Sequence, residues 1–168
     1  LLYGCWMYFD RHAGSRDERW SDRLRQLSIC TYYANYFPLK LIKTEDLDPK
    51  RNYIFGYHPH GLFSFGASGN FATNATHFST LFPGIRPYLM ILPLQFYYPF
   101  TREFVLNLGI RSVSKESCEY LLNDKLGPGR ALVIVTGGIR EQSLTQNNKL
   151  NLYLKNRKGF IKLALQYG

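Results

Sequence analysis

The sequence predicts an α/β layer fold, a mixed sheet flanked by helices. Residues 131–136 (ALVIVT) are uncharged and rich in β-branched side chains, and Gly137-Gly138 follows at once. That is the pattern of a buried strand ending in a turn. Two further apolar runs of strand length occur at 52–57 (NYIFGY) and 87–93 (PYLMILP). Segments with the 3–4 spacing of helices alternate with these runs, as a layered α/β arrangement requires.

In chain order, residues 1–9 (LLYGCWMYF) carry no charge, and Asp10-Arg11-His12 ends the run. With Trp6, Tyr8 and Phe9 at its end, the run reads either as a core segment or as the last turns of a transmembrane or interface helix. Apolar residues from Leu24 to Phe37 recur at helical spacing, which predicts one amphipathic helix over 21–36 with Ser21 as N-cap. Arg16, Arg19, Arg23 and Arg25 give its start a basic face, solvated or turned to a membrane surface. Pro38 ends the helix by restricting the residue before it. Asp48-Pro49 turns the chain into the strand at 52–57. A short strand is expected at 110–113, and a helix over 115–123 capped by Ser114. Gly127-Pro128-Gly129 breaks the chain before 131–136, and a last helix is expected over 158–167.

A chain of 168 residues suffices for one domain with a core. The net charge of +9 favours anionic partners: nucleic acid, lipid headgroups or a phosphorylated co-substrate. Aromatics are 16% of the chain and sit in apolar runs. That suits pockets and membrane interfaces rather than a nucleic-acid module. Cys5, Cys30 and Cys118 form no CxxC pair and are odd in number, so reduced thiols in a cytosol-facing domain are expected. No run of 18 apolar residues is present.

Ligands of open α/β sheets sit beyond the carboxyl ends of strands. Two segments qualify: His58-Pro59-His60-Gly61 after 52–57, and Gly137-Gly138-Ile139-Arg140-Glu141 after 131–136. Imidazole suits general-base work near neutral pH, Pro59 restrains the backbone between the two rings, and Gly61 leaves room beside them. Glycines 137 and 138 permit close backbone approach. A rival reading makes His58, His60 and Glu141 metal ligands of a hydrolase, but no conventional third ligand stands in motif spacing. There is no G-x-S-x-G elbow, no Walker A loop and no G-x-G-x-x-G.

Taken together, these residues resemble the type-2 diacylglycerol acyltransferase family, which also holds monoacylglycerol and wax-alcohol acyltransferases. The likeness is collinear along the chain: Tyr8-Phe9-Asp10, Tyr36-Phe37-Pro38, 52–57, His58-Pro59-His60-Gly61, Asn70-Phe71-Ala72-Thr73, Phe82-Pro83-Gly84-Ile85-Arg86, Gly137-Gly138-Ile139-Arg140-Glu141 and Arg157-Lys158-Gly159-Phe160. A looser likeness to glycerol-phosphate acyltransferases covers Gly138 and Arg140. The acidic residue those enzymes carry five positions after their His is absent, since Phe63 and Phe65 stand there.

The resemblance implies a glycerol-phosphate-acyltransferase-like α/β fold. It also implies an endoplasmic-reticulum membrane enzyme that uses acyl-CoA as co-substrate, with no bound cofactor, to acylate a monoacylglycerol or diacylglycerol. Residues 1–9 would end a membrane hairpin, and 10–168 would form part of a cytosol-facing acyltransferase domain. His58 or His60 would be the base, strand-end alignment favouring the first and the Pro-His-Gly alignment the second. Glu141, in the family's G-G-x-x-E pattern, would replace the missing acid. Backbone N–H groups near Gly61, Gly137 or Gly138 would stabilise the oxyanion, while Arg140, Arg157 and Lys158 would meet CoA phosphates. A lipid-binding protein with a degenerate catalytic fold is the alternative.

Overall fold

A computed structural model describes residues 2–16, 19–59, 63–144, 146, 149 and 151–167. Four strands form one sheet: β1 (Tyr53–Tyr57), β2 (Arg86–Ile91), β3 (Arg111–Ser112) and β4 (Arg130–Val135), in the order β1-β4-β2-β3. Every pairing among them is parallel, which corrects the expected mixed sheet. Parallel neighbours need crossover connections, and the helices supply them. The helices are α1 (Leu2–Phe9), α2 (Ala13–Arg16), α3 (Asp22–Arg25), α4 (Ser28–Tyr36), α5 (Phe65–Ala67), α6 (Phe78–Leu81), α7 (Thr101–Asn107), α8 (Lys115–Leu121), α9 (Gly138–Ser143) and α10 (Gly159–Tyr167).

β4 lies inside the sheet and is covered on both faces. Ala131 and Val133 join a cluster with Phe71, Phe78, Leu89 and Leu106. Leu132 and Ile134 point the other way, into Tyr88, Met90, Leu121 and Leu163. A strand buried on both faces has no polar side to show, so its sequence is a continuous apolar run. The strand expectations at 52–57, 87–93, 110–113 and 131–136 all fall on strands, displaced by a residue or two at their ends.

The helix expected over 21–36 is two helices, α3 and α4. Ser21 caps α3 by accepting from the Leu24 N–H at 3.3 Å, and extended backbone at Leu27 separates it from α4. The break accompanies the burial of Arg25. Its guanidinium donates to the carbonyls of Phe71 and Ala72 at 2.9 and 3.0 Å and to that of Leu108 at 2.5 Å. It also lies 3.9 Å from the centre of the Trp20 ring. The expected basic face therefore does not exist as such. Arg25 is in the core, Arg16 pairs with Glu116, and Arg19 binds Asp10 and Glu103. Ser114 caps α8, accepting from the Ser117 N–H, as its position predicts.

α1 carries no charge and buries none of its residues. No described helix is long and apolar enough to cross a membrane, so the hairpin expectation is unconfirmed. The end of α1 is anchored by ions. Asp10 accepts from Arg19 at 2.6 and 2.7 Å and from the fully buried Arg102 at 2.8 Å, and Arg102 also donates to the Asp10 carbonyl. Burial raises the Asp10 pKa, but the hydrogen bonds and charges of Arg19 and Arg102 outweigh it and leave the carboxyl below its ordinary value. A depressed native pKa contributes stability that is present above the unfolded pKa of about 3.9 and is lost as pH falls through the native value. Asp10→Asn should therefore lower stability at pH 7 by about 1–3 kcal/mol. Urea melts of the two proteins should converge as the pH is taken below about 4; a difference that stays constant with pH would contradict the assignment.

Candidate active site

Parallel pairing decides what meets at the carboxyl edge of the sheet. Tyr57 pairs with Val135, so the next residues, His58 and Thr136, lie side by side. The Thr136 N–H donates to the Tyr57 carbonyl at 3.3 Å, prolonging the ladder by one residue. After Thr136 the chain turns through Gly137 and Gly138 into α9. Gly138 has φ of +59°, a left-handed conformation that favours glycine. α9 then carries Glu141 back over the turn toward His58.

The Glu141 carboxyl is 2.8 Å (Oε1) and 3.1 Å (Oε2) from His58 Nδ1. Glu141 is 3% exposed, whereas the His58 side chain is 23% exposed. The Tyr153 N–H donates to Glu141 Oε2 at 2.8 Å, so the carboxylate is held from a second side. A carboxylate only accepts, so Nδ1 of His58 donates to it, and in the neutral ring Nε2 is then the nitrogen with the lone pair. Thr136 Oγ1 stands 3.0 Å from that Nε2 and 3.4 Å from Nδ1. Gly137 is required for a steric reason. A Cβ there would overlap the Glu141 Cβ and carboxyl, so glycine is what lets the acid fold back onto the strand end.

Beside this pair lies a cavity of about 1260 Å³. Met90, Ile91, Ile134, Ile139, Phe160 and Leu163 give it an apolar floor. Lys115, Arg140, Arg157, Lys158 and Lys162 also line it, and no Asp or Glu is among the described lining residues. Arg140 donates to the Tyr153 hydroxyl at 2.8 Å, and Arg157 reaches the Gly137 carbonyl at 3.4 Å. The two guanidiniums lie 5.5 and 5.6 Å from the Tyr153 ring centre. Hydrogen bonds from Asn156 and Arg140 hold the Tyr153 phenol below its ordinary pKa.

His58 and Glu141 are thus brought together, and Gly137, Gly138, Arg140, Arg157 and Lys158 surround them or line the adjoining cavity. His60 and Gly61 lie outside the described residues. So does part of the metal reading: among the described residues, no three His, Cys, Asp or Glu side chains are grouped to hold an ion. Cys5, Cys30 and Cys118 are free thiols, Cys118 buried at the cavity wall. Sequence reasoning missed Thr136 and Tyr153. Thr136 had a signal, as a hydroxyl at the end of the clearest strand. Tyr153 had none, because its contribution is a backbone N–H twelve residues from its acceptor.

Comparison with known proteins assigns the sequence to a family. The profile described as diacylglycerol acyltransferase covers residues 1–168. The chain belongs to the diacylglycerol acyltransferase family. It is 46% identical over all of its 168 residues to 2-acylglycerol O-acyltransferase 1 of Homo sapiens, covering 50% of that protein. It is 47% identical to diacylglycerol O-acyltransferase 2B of Umbelopsis ramanniana, covering 47% of it, and 45% identical to diacylglycerol O-acyltransferase 2 of Homo sapiens, covering 43%. The chain thus spans about half the length of the curated relatives it matches. No solved structure matches it. Within this family chain, Gly137→Ala tests whether the glycine serves Glu141. The variant should push the carboxylate off His58 and free the Tyr153 amide, whose hydrogen exchange should speed up while core amides of β4 keep their protection. Unchanged Tyr153 exchange would contradict the steric role.

Proposed function

We propose that this chain carries the active site of an acyl-CoA-dependent acylglycerol O-acyltransferase in which His58 is the general base. The observation that supports it best is the 2.8 Å contact between His58 Nδ1 and the buried Glu141 carboxyl. It fixes the tautomer in which Nε2 is free to take a proton. In the transfer step the acceptor hydroxyl gives its proton to His58 Nε2 as its oxygen adds to the thioester carbonyl. Glu141 steadies the imidazolium that forms, as the acidic member of a triad does. In this reading, backbone N–H groups of Gly137 and Gly138 meet the developing oxyanion.

The cavity suits the donor. Its apolar floor takes an acyl chain, and its lysines and arginines meet the phosphates and pyrophosphate of CoA. The relatives' names speak of mono- and diacylglycerol acceptors, so an acylglycerol is the proposed acceptor here.

A membrane surface, the endoplasmic reticulum with this domain facing the cytosol, is the proposed location. Tyr3 stacks on Phe100 at 4.9 Å between ring centres and accepts from the Phe100 N–H. This contact ties α1 to the segment before α7, and Trp6 and Phe9 of the first and Leu94, Tyr97 and Phe100 of the second are exposed.

Separate His58→Ala and His60→Ala substitutions in the full-length protein, assayed for radiolabelled di- and triacylglycerol in membranes, test the assignment. His58→Ala should lower turnover by about 10²- to 10⁴-fold with the protein still folded. Near-normal turnover in His58→Ala would overturn it.

A further inference from the structure

Direct transfer leaves one side chain of the site without a role. Thr136 is 6% exposed, and its hydroxyl is 3.0 Å from His58 Nε2, the nitrogen that takes the proton in the transfer step. Thr136 also lines the large cavity, whereas His58 is not among the residues lining it. A thioester seated in the cavity therefore reaches Thr136 before it reaches His58.

A weak hydroxyl nucleophile is activated when an imidazole stands within hydrogen-bond reach and a third group orients that imidazole. Thr136, His58 and Glu141 supply those three groups at 3.0 and 2.8 Å. The similar distances from Oγ1 to the two ring nitrogens place the hydroxyl over the face of the imidazole rather than along the Nε2 lone pair. Such bonds in unliganded sites are often misaligned and tighten when substrate binds. The local order, strand β4, then Thr136, a glycine turn and helix α9, is also the strand–nucleophile–turn–helix order in which the N–H after the nucleophile meets the oxyanion. Here that N–H belongs to Gly137.

We infer that Thr136 is an acyl-accepting nucleophile, which gives the chain a double-displacement route through an acyl-threonine ester. The inference rests on the acyltransferase reading and adds a covalent step to it. In the first half, Oγ1 bonds to the thioester carbonyl carbon and its proton passes to His58 Nε2. The C–S bond then breaks, and the departing thiolate takes that proton to leave as CoA thiol. In the second half, the acylglycerol hydroxyl adds to the ester carbonyl and gives its proton to Nε2. The bond to Oγ1 breaks, Oγ1 recovers the proton, and the acylated glyceride departs. Water in place of the alcohol makes the same site a slow acyl-CoA thioesterase.

The full-length protein is incubated with radiolabelled long-chain acyl-CoA and no acylglycerol, quenched in acid and digested for peptide mass spectrometry. About one equivalent of CoA thiol should appear as a burst. The acyl mass should map to the peptide holding Thr136 and resist neutral hydroxylamine, which releases a thioester at Cys118 but not an oxygen ester. Thr136→Val and His58→Ala should each lose the label, whereas Thr136→Ser, which restores a hydroxyl, should keep it. Wild-type enzyme that transfers normally to added acylglycerol yet shows neither burst nor label would overturn the inference and leave direct transfer standing. Label that persists in Thr136→Val, or that hydroxylamine releases, would overturn it too. Wild-type enzyme that makes no acylglycerol product at all would overturn the acyltransferase reading itself.

Discussion

The parallel pairing of β1 with the central strand β4 is the constraint on which the site depends. Its register runs from Tyr53 opposite Ala131 to Tyr57 opposite Val135. It brings two segments of distant sequence to the same edge and leaves His58 beside Thr136. A slip of one residue would turn every side chain of the strand to the other face. It would bury a different set against Phe71 and Leu89 and part His58 from Glu141. The apolar packing of β4 on both faces thus protects the geometry of an imidazole that lies outside the core.

Placing a carboxylate in a nearly closed position has a cost, since an unpaired buried charge is strongly disfavoured. Glu141 meets it with local partners, His58 Nδ1 on one side and the Tyr153 N–H on the other. Gly137 supplies the room. The same short turn leaves Thr136 on the wall of a cavity lined by cationic side chains. Glu141, His58 and Thr136 therefore lie within a few residues of two adjacent strand ends, while the surrounding helices build the cavity beside them.

Much of this is legible in the sequence, for identifiable reasons. His58-Pro59-His60-Gly61 and Gly137-Gly138-Ile139-Arg140-Glu141 each follow an apolar strand, and functional residues of such sheets gather at strand ends. Pairing Glu141 with a histidine is what the family resemblance implies, through its G-G-x-x-E pattern, and the structure brings Glu141 to His58. Strand direction is not legible, because an apolar run reads the same whether its neighbours are parallel or antiparallel, and the expected mixed sheet is parallel. Nor is the break between α3 and α4, because the spacing of apolar residues continues across Leu27. Arg25 and Arg19 read as surface charge, since sequence cannot show that backbone carbonyls or Asp10 await them. Tyr153 contributes through its peptide group, which no side-chain pattern reveals.

The central claim is that His58 and Glu141 act as one unit. The most direct measurement is a double-mutant cycle on turnover in the full-length protein, with His58→Ala, Glu141→Ala and the two combined. If Glu141 acts only through the imidazole, the double variant should be no slower than His58→Ala alone, because the acid has nothing left to orient. If the two losses multiply, the residues act independently and the account of this site is wrong.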